Sequence, residues 1–157
     1  MEFNPENSVG PHDDMSMKID EKHKEGLTTD STTFFPFVLI DGQCRALVMF
    51  DDHMAFKCHI FAEQLRDGWT GNGDDWTALA QVIVAKQLSS GAGQVTYDSD
   101  ALMFSARGSR TTLEKLGCEL QAVFRSDDAI RDLMLHVTLP LLNWTARNRY
   151  LQVPLEL

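Results

Sequence analysis

The turn GNGDDW, which begins at Gly71, combines residue types found in several chemical loops: two glycines, an amide and two carboxylates. A phosphate-binding loop needs Lys and Ser or Thr directly after its last glycine, whereas Asp74 and Asp75 follow here and would repel phosphate. A dinucleotide-binding turn needs three glycines between a strand and a helix, and a calcium loop of the EF-hand type closes with a glutamate that this segment lacks. The residues favour a structural turn instead. Gly71 and Gly73 supply unusual backbone angles, Asp74 or Asp75 caps the next helix, and Trp76 anchors that helix.

Nucleophilic and metal chemistry also lack their usual arrangements. Cys58 and His59 are adjacent in a predicted helix and point about 100° apart, and no GxSxG elbow occurs. The three cysteines have no CxxC spacing, which indicates neither a disulfide framework nor a zinc site, and we expect buried thiols. We predict a protein that is not an enzyme and has no catalytic residues, cofactor or metal. A small enzyme with a pocket of converging polar groups stays an alternative.

Negative charge is concentrated in the front half of the chain. The net charge is -9: residues 1–32 hold eight acids and three bases (-5), residues 33–75 hold seven and three (-4), and residues 76–157 hold eight of each (0). Nucleic-acid binding is not expected, because it requires a basic surface. An acidic front half suits a basic protein partner, although the carboxylates also serve solubility.

Length and hydropathy predict one domain without a membrane segment. The chain has 157 residues, of which 43% are hydrophobic, as in ordinary globular domains. No apolar run reaches the roughly 18 residues of a membrane span, and the N-terminus has no basic stretch followed by an apolar one. We therefore expect a cytoplasmic protein that contacts no membrane.

The chain divides into a tail and a domain. Residues 1–32 are rich in polar and charged residues without hydrophobic periodicity, which predicts a flexible acidic N-terminal tail. Residues 33–157 are predicted to form a single α+β domain. Within it, residues 137–157 are a C-terminal extension that either adds a short strand or docks as a tail.

Two β-hairpins are predicted from β-prone runs. Asp41-Gly42 joins the first two runs, and this dipeptide favours a tight turn with positive φ. Pro36 cannot donate a ladder hydrogen bond, so the first strand should lie at a sheet edge or be bulged near its start. The four predicted strands are residues 34–40, 44–50, 93–98 and 101–107.

Four helices are predicted around these hairpins. The first begins near Asp52 and carries an apolar stripe, the second begins at Asp74 or Asp75 and stops at residues 89–93, and Ser109 and Ser126 are placed to cap the last two. The order predicts an α+β fold: a two-layer single domain in which an antiparallel sheet built from two β-hairpins has helices packed on one face. The stripe of the first helix is Met54, Cys58, Phe61, Leu65 and Trp69.

The turn and its flanking segments resemble the immunity protein 51 family of bacterial polymorphic toxin systems. In that family a Gly-Asn-Gly-Tyr-Asp-Trp motif opens a helix, a later hairpin carries Asp and then a Met-Phe pair, and a further helix ends near Arg-Asp-Leu. The resemblance spans residues 34–137, and Asp74 stands where the family has Tyr. The matching residues are Gly71, Asn72, Gly73, Asp75, Trp76, Asp98, Asp100, Met103, Phe104, Arg131, Asp132 and Leu133.

The resemblance implies an immunity protein, which binds and neutralises a cognate bacterial toxin domain by protein–protein interaction. A nuclease toxin with a basic cleft would suit the acidic surface. The alternative is a non-catalytic adaptor or regulatory domain that acts through its acidic surface or tail, and both monomer and homodimer stay open. For several of the candidate binding residues, helix capping or core packing explains the residue as well as contact with a partner does. The candidate partner-binding residues are Asp51, Asp52, Asp67, Trp69, Asn72, Asp74 and Asp75.

Overall fold

The computed structural model describes residues 26–88 and 94–137. Five strands form one antiparallel sheet in the order β1-β2-β3-β5-β4. Helices pack against one face of this sheet, so the predicted α+β fold is confirmed. The strands are β1 Thr28–Asp30, β2 Val38–Asp41, β3 Ala46–Phe50, β4 Thr96–Tyr97 and β5 Met103–Arg107.

The two C-terminal helices begin where their capping residues predict. The Ser109 hydroxyl accepts a hydrogen bond from the Thr112 amide, and the Ser126 hydroxyl accepts one from the Ala129 amide. Each cap satisfies an amide that the first turn of a helix leaves without a partner. The helices are α1 Asp51–Met54, α2 Cys58–Ala62, α3 Gly73–Gln87, α4 Arg110–Phe124 and α5 Asp127–His136.

The core lies between the helices and the alternate residues of the central strands. Met49 of β3 stands opposite Phe104 of β5 in the register, and both side chains are buried. Trp76 of α3 is fully buried at the centre, where its ring centroid lies 5.6 Å from that of Phe61 and 5.7 Å from that of Phe124. Aromatic contacts of this kind join the first half of the chain to the end of α4.

The sheet begins earlier than the sequence predicts. Residues 28–30, assigned to the flexible tail, form β1 and pair with β2 in antiparallel register. The carboxylate of Asp30 stabilises the turn after β1, because it accepts hydrogen bonds from the amides of Thr32 and Thr33. A hydrogen bond from the Thr33 side chain, together with these amide bonds, lowers the pKa of Asp30 to about 2. The predicted tail is therefore wrong for residues 28–30, and its first 25 residues lie outside the described part of the chain.

The first hairpin differs from its prediction at both ends of β2. Pro36 precedes the strand, which starts at Val38, and β1 covers the edge that Pro36 was expected to mark. The turn that follows is not a tight Asp-Gly turn, since Gly42 has no positive φ and residues 42–45 separate the strands. The Arg45 side chain donates to the Asp41 carboxylate at 2.8 Å, so a charged side-chain contact closes this longer loop.

The predicted first helix is broken into short pieces. α1 and α2 are separated by a 3-10 turn, Ala55–Lys57, and a second 3-10 turn, Leu65–Asp67, follows α2. The chain then reverses at Gly68, whose φ is 85°. The predicted apolar stripe is wrong at its C-terminal end. Leu65 is exposed, and Trp69 reaches the core from outside the helix.

The expectation of buried thiols is also wrong. Cys44 lies exposed in the loop before β3, Cys118 is exposed on α4, and Cys58 is half-buried. The predicted stop of the second helix, residues 89–93, lies outside the described residues. So does the predicted C-terminal extension beyond residue 137.

Candidate protein-interaction site

The turn before α3 is held in place by backbone geometry. Gly71 has a φ of 82°, a conformation that favours glycine, and a side chain there would also press against Cys58 and Phe61. The side chain of Asn72 caps α3, because its oxygen accepts a hydrogen bond from the Asp75 amide at 3.0 Å. The prediction that Asp74 or Asp75 caps this helix is therefore wrong, since Asn72, two residues before Asp74, takes that position.

Asp75 ties the turn together from inside. Its carboxylate accepts hydrogen bonds from the amides of Thr70 and Gly71, both at 2.7 Å, and the residue is only 1% exposed. A buried carboxylate that is occupied in this way stabilises the loop conformation and presents no surface to a partner. The prediction that Asp75 contacts a partner directly is thus contradicted.

Gly73 lets α3 touch the hairpin formed by β4 and β5. A side chain at this position would overlap the carbonyl oxygens of Asp100 and Met103, so only glycine allows the approach. Four residues further along α3, the Thr77 hydroxyl donates to Ser99 at 2.6 Å. We call this contact between residues 70–77 and residues 99–105 the α3 junction. It brings together motif residues that lie about 30 positions apart in the sequence.

The candidate acidic residues divide between two places. Asp51 and Asp52 are exposed and directly follow β3, whose last residue, Phe50, pairs with Met103 beside the α3 junction. Asp74 is exposed in the first turn of α3 at the same junction. The structure thus gathers these three predicted contact residues at one end of the sheet, while Asp67 and Trp69 lie elsewhere.

Asp67 and Trp69 line a groove between α2 and α5. The groove has a volume of about 300 Å³. Trp69 is 4% exposed and packs against Phe61 at 5.8 Å between ring centroids, which agrees with a core position, while its remaining surface forms part of the groove floor. We call this feature the α2–α5 groove; its lining residues are Ile60, Glu63, Gln64, Asp67, Trp69, Arg131, Met134 and Leu135.

Ion pairs connect the two sides of the α2–α5 groove. Arg131 of α5 makes a bidentate contact with Glu63, at 2.7 and 2.8 Å, and also contacts Asp128 at 2.9 Å. The hydrogen bond from Arg131 holds the pKa of Glu63 below its ordinary value. Near the start of α5, Lys57 donates to Asp127 at 2.6 Å and lowers the pKa of that carboxyl in the same way. These side chains fix α5 against α2.

Sequence reasoning did not identify Glu63 or Leu135 as site residues. Glu63 lies 68 residues from its partner Arg131, so no local pattern links them. Arg131 itself was named only through the family resemblance. Leu135 is 80% exposed on an otherwise amphipathic helix, and its departure from the apolar stripe of α5 was the available signal.

Neither a metal centre nor a membrane span occurs within the described segments. Among residues 26–88 and 94–137, no three or more His, Cys, Asp or Glu side chains are placed to share a metal ion. None of the helices in these segments has the length and apolar character that crossing a bilayer requires.

The described residues define an α+β protein with an antiparallel five-stranded sheet and an exposed groove beside α5. The chain matches the family Immunity protein 51 over residues 37–138, which is more than half of its length. It therefore belongs to that family, as its motifs predict. No curated protein and no solved structure matched the chain.

Proposed function

We propose that this protein neutralises a cognate bacterial toxin domain by binding to it, without catalysis. The observation that carries the proposal is membership of the Immunity protein 51 family across residues 37–138. The structure is compatible with this proposal, because the motif residues have structural roles. Asn72 caps α3, Gly73 lets α3 approach the hairpin, and Asp75 holds the turn before the helix.

The charge of the chain suggests the kind of toxin. A net charge of -9 attracts a basic partner and raises the rate of association. We propose a cytoplasmic complex with a toxin that has a basic cleft, such as a nuclease. If attraction between the two charged surfaces drives association, raising the salt from low concentration to ~0.5 M will slow association strongly. An association rate that hardly changes would contradict a toxin with a basic cleft, and it would not contradict the immunity function.

A co-expression assay tests the function directly. The protein is induced beside a candidate toxin domain, with an empty vector as the control. We expect growth to be rescued and the two chains to purify together. A toxin domain that kills equally in both cultures and does not co-purify would contradict the proposal.

A shortened chain separates this function from an adaptor that binds through its tail. The deletion must end at residue 25, since β1 belongs to the sheet. We expect the shortened chain to bind the toxin domain with nearly unchanged affinity. Loss of binding at an unchanged melting temperature would favour the adaptor instead.

A further inference from the structure

The α2–α5 groove combines an apolar floor with acidic rims. Ile60 and Met134 are buried beneath it, yet Leu135 on its edge is 80% exposed and packs against nothing in the core. A single exposed leucine is ordinary on a protein surface. An exposed leucine beside a concave apolar floor is typical of a contact surface, because one partner side chain can bury the leucine and the floor together.

The charges around the groove are predominantly negative. On α5, Asp128, Asp132 and Leu135 follow each other at spacings of four and three, so they share one face of the helix. On the opposite side, Glu63 is engaged by Arg131 through both of its oxygens. The exposed Asp67 carboxylate makes no hydrogen bond or ion pair within the described part of the chain. Among the lining residues, one arginine therefore stands beside two carboxylates, those of Glu63 and Asp67.

We propose that the α2–α5 groove is the surface that receives the toxin, and that the occupant is a toxin segment carrying an apolar side chain next to a Lys or Arg. The apolar side chain covers Leu135 and the groove floor. The basic group pairs with Asp67, whose charge no described residue neutralises. This inference rests on the proposed function and names the part of the surface that performs it.

The competing location is the end of the sheet, where Asp51, Asp52 and Asp74 lie near the α3 junction. Leu102 in the turn between β4 and β5 is 65% exposed there and offers a matched control for Leu135. Both leucines are already largely in water, so glutamate at either position adds similar charge with little effect on folding. The two sites can therefore be compared with equivalent substitutions.

The experiment measures the affinity of the full-length chain for the toxin domain used in the co-expression assay, by isothermal titration calorimetry. We expect Leu135→Glu and Asp67→Lys each to weaken binding by about tenfold or more, as changes at the centre of an interface do. Leu102→Glu should change affinity by less than about twofold, and all three variants should keep the wild-type melting temperature.

The outcomes separate the inference from the function on which it rests. If the wild-type chain does not bind the toxin domain, the proposed function fails and the groove assignment fails with it. If the wild-type chain binds and both groove variants bind equally well, only the groove assignment is overturned. If Leu135→Glu lowers the melting temperature but leaves affinity unchanged, the groove is covered by the chain's own residues, which also overturns the assignment.

Discussion

The α3 junction and the α2–α5 groove join their neighbouring elements in opposite ways. At the junction, Gly73 places helix backbone directly against the hairpin carbonyls, and the buried Asp75 carboxylate accepts hydrogen bonds from the amides of Thr70 and Gly71. At the groove, α2 and α5 are linked by exposed ion pairs such as Glu63–Arg131. Backbone contact leaves no room for substitution, whereas exposed side-chain pairs are worth little to stability and tolerate change.

The family motif therefore serves the fold, whereas the surface that we propose for the toxin lies at the α2–α5 groove. Five of the six residues in the turn GNGDDW have folding roles, and only Asp74 is exposed. Asp74 is also the position where the family resemblance has Tyr. Most residues of a family motif can therefore be explained by the geometry of the fold alone.

The largest expected effect is that of Gly73→Ala. The added methyl group overlaps the carbonyl oxygens of Asp100 and Met103, which are backbone atoms and cannot move aside cheaply. We expect a loss of about 3 kcal/mol or more in the free energy of unfolding. Gly108→Ala is the matched control, because a methyl group there meets only ordinary contacts, and it should change stability by less than about 1 kcal/mol. Equal stabilities of the two variants in urea denaturation would show that the junction is not tightly packed.

An intermediate effect is expected for Asp75→Ala. The substitution leaves the amides of Thr70 and Gly71 without their acceptor, which should cost about 2 kcal/mol. Asp74→Ala, one residue away and exposed, should cost less than about 1 kcal/mol. Thermal melting of both variants checks the contrast, which would disappear if Asp75 were a surface carboxylate. A loss of toxin affinity by Asp74→Ala at an unchanged melting temperature would instead make Asp74 a contact residue.

The smallest effect on stability is expected at the groove, for Arg131→Gln. Removing the guanidinium group should raise the pKa of Glu63 toward its ordinary value, because the hydrogen bond from Arg131 is the main cause of its lowering. The pKa of Asp127 should stay low, since the main cause of that low pKa is the hydrogen bond from Lys57. NMR titration of the two carboxyl groups measures both changes, and an unmoved Glu63 would contradict the pairing.

The sign of the accompanying pH effect follows from these directions. The pKa of Glu63 in the folded chain lies below that of the unfolded chain. The Glu63–Arg131 pair therefore contributes stability above the unfolded pKa, and that contribution is lost as the pH falls through the folded pKa. Between these two pKa values, the stability of the Arg131→Gln variant should fall less with decreasing pH than that of the wild-type chain.

Local patterns predicted the parts of the fold that depend on local interactions. The caps at Ser109 and Ser126 act across three residues, and the hairpin of β4 and β5 is closed by neighbouring segments. The pairing of β1 and the shortening of the first helix could not be predicted in this way. β1 is a three-residue strand of polar sequence, and it is held by its register with β2 rather than by a hydrophobic pattern.

The candidate site was predicted in part, for a similar reason. Asp67 and Trp69 were identified from residue type and position, and the structure places both at the α2–α5 groove. Their neighbours Arg131 and Leu135 are more than 60 positions away, and only tertiary structure brings them together. Asp75 was assigned to the surface because sequence shows the charge of a carboxylate and not the amides that enclose it.

The central claim is that neutralisation occurs by binding, and a stoichiometric titration of toxin activity tests it most directly. Increasing amounts of the purified chain are added to a fixed amount of active toxin domain, at concentrations well above the dissociation constant. The account predicts that activity falls in proportion to the chain added, reaches zero at a fixed molar ratio and does not change with time afterwards. Continuing loss of activity when the chain is present at a small fraction of the toxin would show catalytic inactivation and contradict the account.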